Sequence, residues 1–245
     1  MTAVGVIPAR YSASRFPGKC LAPIAGVPMV QRVWEGASSA KSLRGVIVAT
    51  DDERIAKACA EFGAQVAMTD PKHRTGTDRL AEVAVGLEDE IVVNVQGDEP
   101  LISGEVIDAA VQVLLEAPDV PMSTVVHPAE ADALDDPNRV KVVLDRGGDA
   151  LYFSRSRIPA LREGGVPPRY WQHVGVYAYR RSFLLEFVQL EPTAAERAEG
   201  LEQLRALEHG FRIRCACVDG WRGLSVDVPE DVARVEARLR ELAGC

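Results

Sequence analysis

Two hydrophobic rhythms alternate along the first third of the chain. Short β-branched runs at 4–7, 46–50 and 66–69 read as buried strands, and between them apolar residues recur at helical spacing over about 28–40 and 52–62. Strand, helix and strand in succession predict βαβ units and therefore a parallel sheet. Residues 91–95 form a further buried strand. Ser103 stands where an N-cap belongs, ahead of a helix with Val106, Ala109, Ala110 and Val113 on one face.

From about 120 to 179 the helical rhythm stops. The runs "MSTVV", "RVKVVL", "ALYFS" and "HVGVYAY" follow one another as strands, which predicts an antiparallel addition or subdomain. A helix near 201–208, the strand "FRIRCACV" and a final helix from Pro229, with Val232, Val235, Leu239 and Leu242 on one face, return to the opening pattern. The stretch "REGGVPPRY", 162–170, reads as a loop or lid rather than a domain linker.

Composition narrows the classes. A chain of 245 residues, 47% hydrophobic, can bury a sizeable core. Its apolar runs fall far short of the about 20 residues a membrane span needs, and no charged n-region precedes an apolar one, so we expect a cytoplasmic protein with no membrane partner. Five cysteines (20, 59, 215, 217 and 245) form no C-x-x-C and no zinc spacing, which predicts reduced, structural thiols. The net charge of -8 opposes binding to long nucleic acid. Against that acidic background, Arg10, Arg15, Lys19 and Arg32 occupy the first 34 residues without one Asp or Glu. The run "VIPARYSASRFPGK" leads from a strand into a loop whose Gly18 lets backbone approach a ligand, so Arg10, Arg15 and Lys19 are candidates to neutralise a polyphosphate. It is neither a Walker A loop nor a G-x-G-x-x-G turn, which argues against a dinucleotide-dependent oxidoreductase.

Five further stretches carry candidate chemistry, most with a plainer reading. "VVNVQGDEPLI" ends a buried strand in Gln96, Gly97, Asp98 and Glu99, where open α/β sheets bind ligands and hard oxygen donors suit Mg²⁺; a helix-capping turn would look the same. Asp227, just before a Pro-started helix, is a second candidate metal carboxylate or an ordinary cap. "KHRTGTDRL" is a loop for a base or phosphate, or a turn with a capping Thr. In "WQHVGVYAY", His173, Gly175 and Tyr177 share one strand face, and the glycine leaves a hollow between the two side chains. Glu202 and Gln203 interrupt an apolar helical pattern, as an exposed helix face also would.

Taken in order, "IPARYSASRFPGK", "HRTGTDRLAE", "IVVNVQGDEPLI", "DPNRVKVVLD", "ALYFSRSRIP", "HVGVYAYRRSFL", "LEQLRALEHG" and "VDVPEDVARV" resemble the 3-deoxy-manno-octulosonate (Kdo) cytidylyltransferase family, over residues 4 to about 239. The resemblance implies one nucleotidyltransferase domain over 1–245, Rossmann-like with a mixed, mostly parallel sheet, in which about 120–180 is an antiparallel dimerisation and acceptor-binding portion. It implies a Mg²⁺-dependent enzyme of lipopolysaccharide synthesis that binds CTP and a small acidic acceptor and works as a homodimer. Arg10, Arg15 and Lys19 would hold the CTP phosphates, the His73 to Arg79 loop (with Arg74, Thr75 and Gly76) and Gln96 would line the nucleotide, Asp98 and Asp227 would hold the metal, and Arg155, His173, Tyr177, Glu202 and Gln203 the acceptor. Arg15, Lys19, Asp98 and Asp227 would carry the reaction. The chain departs from the family's usual reading at Cys20, Thr75, Ala160, Gln172 and Val228. Because several of these flank the acceptor positions, a cytidylyltransferase for another small acid, such as a phosphonate in natural-product biosynthesis, is the alternative, with Arg157 or Arg169 as its extra cation. A non-enzymatic nucleotide sensor is a further rival; it would not need both carboxylates.

Overall fold

The computed structural model describes residues 2–12 and 15–244, the side chain of Ala243 apart, so Met1, Ala13, Ser14 and Cys245 lie outside the described residues. The chain runs through β1 (Ala3–Ala9), the short hairpin β2 (Pro23–Ile24) and β3 (Val27–Pro28), α1 (Met29–Ser38), β4 (Leu43–Thr50), α2 (Glu53–Glu61), β5 (Gln65–Met68), α3 (Gly76–Val85), β6 (Ile91–Val95) and α4 (Gly104–Glu116). It continues with β7 (Met122–Pro128), β8 (Lys141–Leu144), β9 (Ala150–Ser154), β10 (Trp171–Arg180), α5 (Arg181–Phe187), α6 (Ala194–Glu199), α7 (Gln203–Glu208), β11 (Ile213–Cys217) and α8 (Pro229–Ala243). The fold is mixed α/β, and the chain divides into two compact units, Met1–Asp108 with Arg222–Cys245, and Ala109–Trp221.

In the first unit β1 pairs in parallel with β4 on one side and β6 on the other, and β4 pairs in parallel with β5. The chain therefore winds outward from β1 through β4 to β5, then crosses back to place β6 on the opposite flank. A crevice opens outside the carboxyl ends of the strands at such a reversal. Gly97 allows the ends of β6 and β1 to close up there, since a Cβ on it would stand 2.9 Å from the Pro8 carbonyl oxygen. The segment 72–80 is only partly a loop: Thr75 caps α3, its hydroxyl accepting from Asp78 N while the Asp78 carboxylate accepts from Thr75 N. That reciprocal capping box turns "TGTD" into a helix start.

Two helix faces differ from the pattern reading. The buried stripe of α4 is Val106, Ile107, Ala110, Val111 and Leu114, with Ala109 and Val113 at its margins, because those five positions share one face at helical spacing. On α8, Val235 packs into a cluster with Ile24, Met29 and Val226, flanked by Val232 and Leu239. Leu242 lies beyond that cluster and is exposed.

In the second unit β10 is antiparallel to β7 and β8, β8 is antiparallel to β9, and β11 lies parallel to β7. The register of β10 against β7 shifts between Val174 and Tyr177. Helices α5 and α6 have no clear signal in the sequence. Helices of 7 and 6 residues are too short to be stable alone, and α5 forms because Phe183, Leu184 and Phe187 are buried on it. No helix among the described residues is long and apolar enough to cross a membrane.

Glycine 36 tests the packing that positions α4. In a helix interior alanine is favoured over glycine by about 1 kcal/mol, but a Cβ at Gly36 would stand 2.2 Å from the Ile102 carbonyl oxygen. Contact with backbone cannot relax cheaply, so Gly36→Ala should lower unfolding free energy in urea by about 1–3 kcal/mol. An unchanged or raised midpoint would show that helix propensity outweighs the contact.

Candidate active site

The crevice at the strand reversal is a cleft of about 300 Å³ lined by Pro8, Arg10, Arg15, Phe16, Lys19, Thr75, Gly76, Arg79, Gln96, Asp98 and Asp227, among others. Its geometry begins in the loop after β1. Gly18 adopts a left-handed backbone (φ 73), and its N–H donates to the Tyr11 carbonyl at 2.7 Å, which folds the loop back on itself. Lys19 then opens a single 3₁₀ turn, Lys19–Leu21, facing the end of β6. Arg54 stacks on the Tyr11 ring at 3.3 Å and braces the loop from α2.

The Lys19 ammonium is the centre of the site. It donates to Asp98 Oδ2 at 2.8 Å and to the Val226 carbonyl at 3.0 Å, and lies 3.6 Å from Asp227 Oδ1. Val226 N in turn donates to the Asp98 carbonyl at 2.9 Å, so backbone pairing carries Asp227 to the tip of β6. Arg15 also reaches Asp227 Oδ1, at 3.1 Å, but its side chain is 63% exposed against 16% for Lys19. The more buried pair is the stronger, because solvent screens it less. The capping work expected as an alternative for Asp227 is done by Asp231, whose Oδ2 accepts from both Asp227 N and Val228 N. Both candidate carboxylates are therefore aimed into the cleft.

Beside them burial pushes the Glu99 carboxyl up to about 8, with Asp98 and Asp227 adding repulsion and Lys19 offsetting part of it. Glu99 is thus protonated at neutral pH and adds no third negative charge. Burial likewise pushes the Cys20 thiol up to about 11, and its Sγ donates to the Arg10 carbonyl, the behaviour of a structural thiol. Arg10 is exposed and donates to the Arg74 carbonyl at 3.4 Å, so Arg74 contributes backbone there, and its side chain is not part of the cleft lining.

Arg79 also belongs to the cleft. It is almost fully buried, pairs with Asp51 Oδ2 at 3.3 Å and donates to the Thr69 hydroxyl. The resemblance puts it at the end of the nucleotide loop, and its partners, which follow β4 and β5, meet it only in three dimensions. His73 lines the same cleft and meets Glu82 Oε2 at 2.5 Å.

The five acceptor candidates lie in the second unit. His173 and Tyr177 are in ring contact, 5.2 Å between centroids, so the hollow expected over Gly175 is closed. The shifted register of β10 brings together two residues that a regular strand would hold about 13 Å apart. Burial, with His127 adding to it, pushes the His173 imidazole down to about 3, and burial holds the Tyr177 phenol well above its ordinary range, so both are neutral. Arg155 donates to the carbonyls of Glu199, Pro137 and Gly200, tying the end of β9 to the end of α6. Three of its five N–H groups are engaged, and two remain for a ligand. Gln203 opens α7 and is 5% exposed, yet its Nε2 is sealed without a hydrogen-bond partner. Glu202, one residue before it, lies 3.6 Å from Arg205, which is held by Glu196.

Residues 4–213 match the cytidylyltransferase family model. The chain is 51% identical to 3-deoxy-manno-octulosonate cytidylyltransferase of Myxococcus xanthus (strain DK1622), over 98% of each. It is also 51% identical to the protein of that name from Syntrophotalea carbinolica, over 99% of this chain and all of the other. A solved structure of CMP:2-keto-3-deoxy-manno-octonic acid synthetase complexed with CTP superposes with a TM-score of 0.93 at 42% identity, covering 98% of this chain and 99% of that one. With a cationic cleft at the strand reversal, two carboxylates gathered on one lysine, and likeness to these proteins over nearly its whole length, the chain belongs to the cytidylyltransferase family.

Proposed function

We propose that this protein is a cytoplasmic enzyme that transfers CMP from CTP to a hydroxyl of Kdo and releases pyrophosphate, making an activated sugar for lipopolysaccharide synthesis. The observation that carries the reading is the meeting of Lys19, Asp98 and Asp227 in a cleft that also holds Arg10, Arg15 and Arg79. With Arg79 paired to Asp51, three cations face two carboxylates in the lining, and the surplus suits a triphosphate. The choice of Kdo is supported by the names of the relatives and by the donor set of the second unit.

In the reaction the acceptor oxygen forms a bond to the α-phosphorus as the bond to the β-phosphate oxygen breaks, and the electron pair leaves on pyrophosphate. Little covalent work falls to the protein, so positioning and charge neutralisation carry the rate. Arg10 and Arg15 hold the outer phosphates, and Lys19 stands where it can exchange its carboxylate partners for phosphate oxygens. Gln96 and Thr75 contribute polar contacts to the nucleotide.

A divalent cation fits the carboxylate pair. Both carboxylates lie within 3.6 Å of one ammonium, which marks a point where positive charge is held between them. Among the described residues no group of three or more metal-ligating side chains is present, and this suits Mg²⁺, which keeps several waters and takes further oxygens from substrate phosphates. Bound by Asp98 and Asp227, Mg²⁺ would neutralise charge on the phosphate oxygens.

The phosphonate alternative finds less support. Arg169 is paired to Asp219 at 2.6 Å and stacked on Trp171, while Arg157 lies over the Tyr170 ring and donates to its hydroxyl. Arg169 is thus already neutralised by a carboxylate, while Arg157 is held against a ring.

We further propose a homodimer formed through the antiparallel portion. Among the described residues strand β9 pairs only with β8, and it exposes Leu151 and Tyr152 at 60% and 38%. The double change Leu151→Asp with Tyr152→Asp should give a monomer in sedimentation velocity; a persistent dimer would rule this face out.

Pyrophosphate release from CTP should require Kdo, with small phosphonates inactive; phosphonate turnover without Kdo turnover would refute the acceptor and leave the cytidylyl transfer standing. Asp98→Asn and Asp227→Asn should each fold and lower kcat by roughly 10²-fold or more at saturating Mg²⁺. Near wild-type turnover in either would remove that residue from the chemistry. Lys19→Ala should raise the KM for CTP by roughly ten- to a hundredfold, the loss of one charge-assisted contact, whichever acceptor is supplied.

A further inference from the structure

Thr124 lies on β7, fully buried, opposite Tyr177 in the pairing with β10. Its hydroxyl oxygen has three polar neighbours: the Val176 carbonyl at 2.7 Å, the Val174 carbonyl at 3.3 Å and His173 Nε2 at 3.0 Å. The register shift of β10 at this point turns two carbonyls toward one side chain, as bulges do. A threonine hydroxyl has one proton to give, and carbonyls can only accept. If the proton went to His173, the Val176 carbonyl would face a lone pair at 2.7 Å. The proton therefore goes to Val176, and the hydroxyl oxygen accepts from a protonated His173 Nε2.

The other ring nitrogen follows. Burial holds the imidazole neutral, as its displacement to about 3 reflects, so protonation at Nε2 leaves Nδ1 with a bare lone pair. Nδ1 has no hydrogen-bond partner among the described residues, and it is not one of the sealed polar atoms. The Phe153 ring, edge-on at 5.2 Å and 81°, and the Tyr177 ring fix the imidazole plane.

Resting on the reading of His173 as an acceptor-site residue, we propose that Thr124 is a positioning residue that locks His173 in the Nε2-protonated form, so that Nδ1 accepts a hydroxyl hydrogen of the acceptor acid. A neutral acceptor atom repels the oxygens of a carboxylate or phosphonate and welcomes a polyol. Arg155, which carries unused donors, is left to face the carboxylate.

The tautomer is read directly in the free wild-type protein by ¹⁵N NMR of its histidines. The expected spectrum at neutral pH has a pyrrole-type Nε2 and a pyridine-type Nδ1 for His173; the reverse would overturn the proposal. In kinetics, Thr124→Val, similar in shape but without the hydroxyl, should raise the KM for Kdo about tenfold while kcat and the KM for CTP stay within about twofold. Thr124→Ser should restore the wild-type KM. A Thr124→Val enzyme with unchanged KM for Kdo, or with kcat and both KM values impaired together and no rescue by serine, would overturn it. Because the spectrum needs no substrate, a wild type that ignores Kdo yet shows Nε2 protonated would refute the acceptor reading and leave the Thr124 and His173 assignment supported.

Discussion

One ammonium group organises the catalytic unit. Lys19 Nζ draws on Asp98, 79 residues away, and on the Val226 carbonyl, 207 residues away, while lying within ion-pair distance of Asp227. Two carboxylates brought this close repel each other, and the Glu99 carboxyl beside them is already driven to its protonated form. The lysine makes their convergence tolerable, and the same balance makes the site responsive. Under the proposed function a polyphosphate would compete for the lysine and a divalent cation for the carboxylates, so binding either one would favour binding the other.

The backbone supplies the precision that flexible side chains cannot. The ends of β1 and β6 meet at Gly97, the Asp98 carbonyl accepts from Val226 N, and Asp231 caps α8 so that Asp227 need not. The cost of fixing Lys19 and the two aspartates is thereby carried by secondary structure formed for other reasons. In the second unit the same economy operates through a bulge: residues 175 and 176 leave the regular pairing, His173 and Tyr177 close into contact, and two carbonyls converge on Thr124.

Much of this was legible along the chain. The strands of the parallel sheet and the helices α1, α2, α4 and α8 follow from period, and the cationic opening loop from its lack of acids in an acidic protein. Asp98 and Asp227 stood out because polar residues at the ends of buried strands and at helix starts are few. For Asp98 a capping turn read equally well and for Asp227 the cap read better, and only the three-dimensional position of Asp231 removes it for Asp227. Arg79 was less distinct, because a buried arginine declares itself by its partners, Asp51 and Thr69, which no spacing connects to it. The hollow over Gly175 was misjudged because a strand pattern assumes period two, and a shift of register breaks it. Helices α5 and α6 were not distinct because elements of 7 and 6 residues owe their stability to packing rather than to propensity.

The sequence by itself determined the local elements, the sign of charge in the opening loop and the chemical types available to the site, since these depend on neighbours within a few residues. Tertiary structure alone decided which of those groups meet. Lys19 reaches both carboxylates because β1 lies beside β6 and the segment before α8 hydrogen-bonds to the end of β6, relations between residues far apart in the chain. His173 likewise takes its partner, the Thr124 hydroxyl, from a strand that begins some fifty residues earlier in the chain, and its neutrality from burial, because both are properties of a place in the fold.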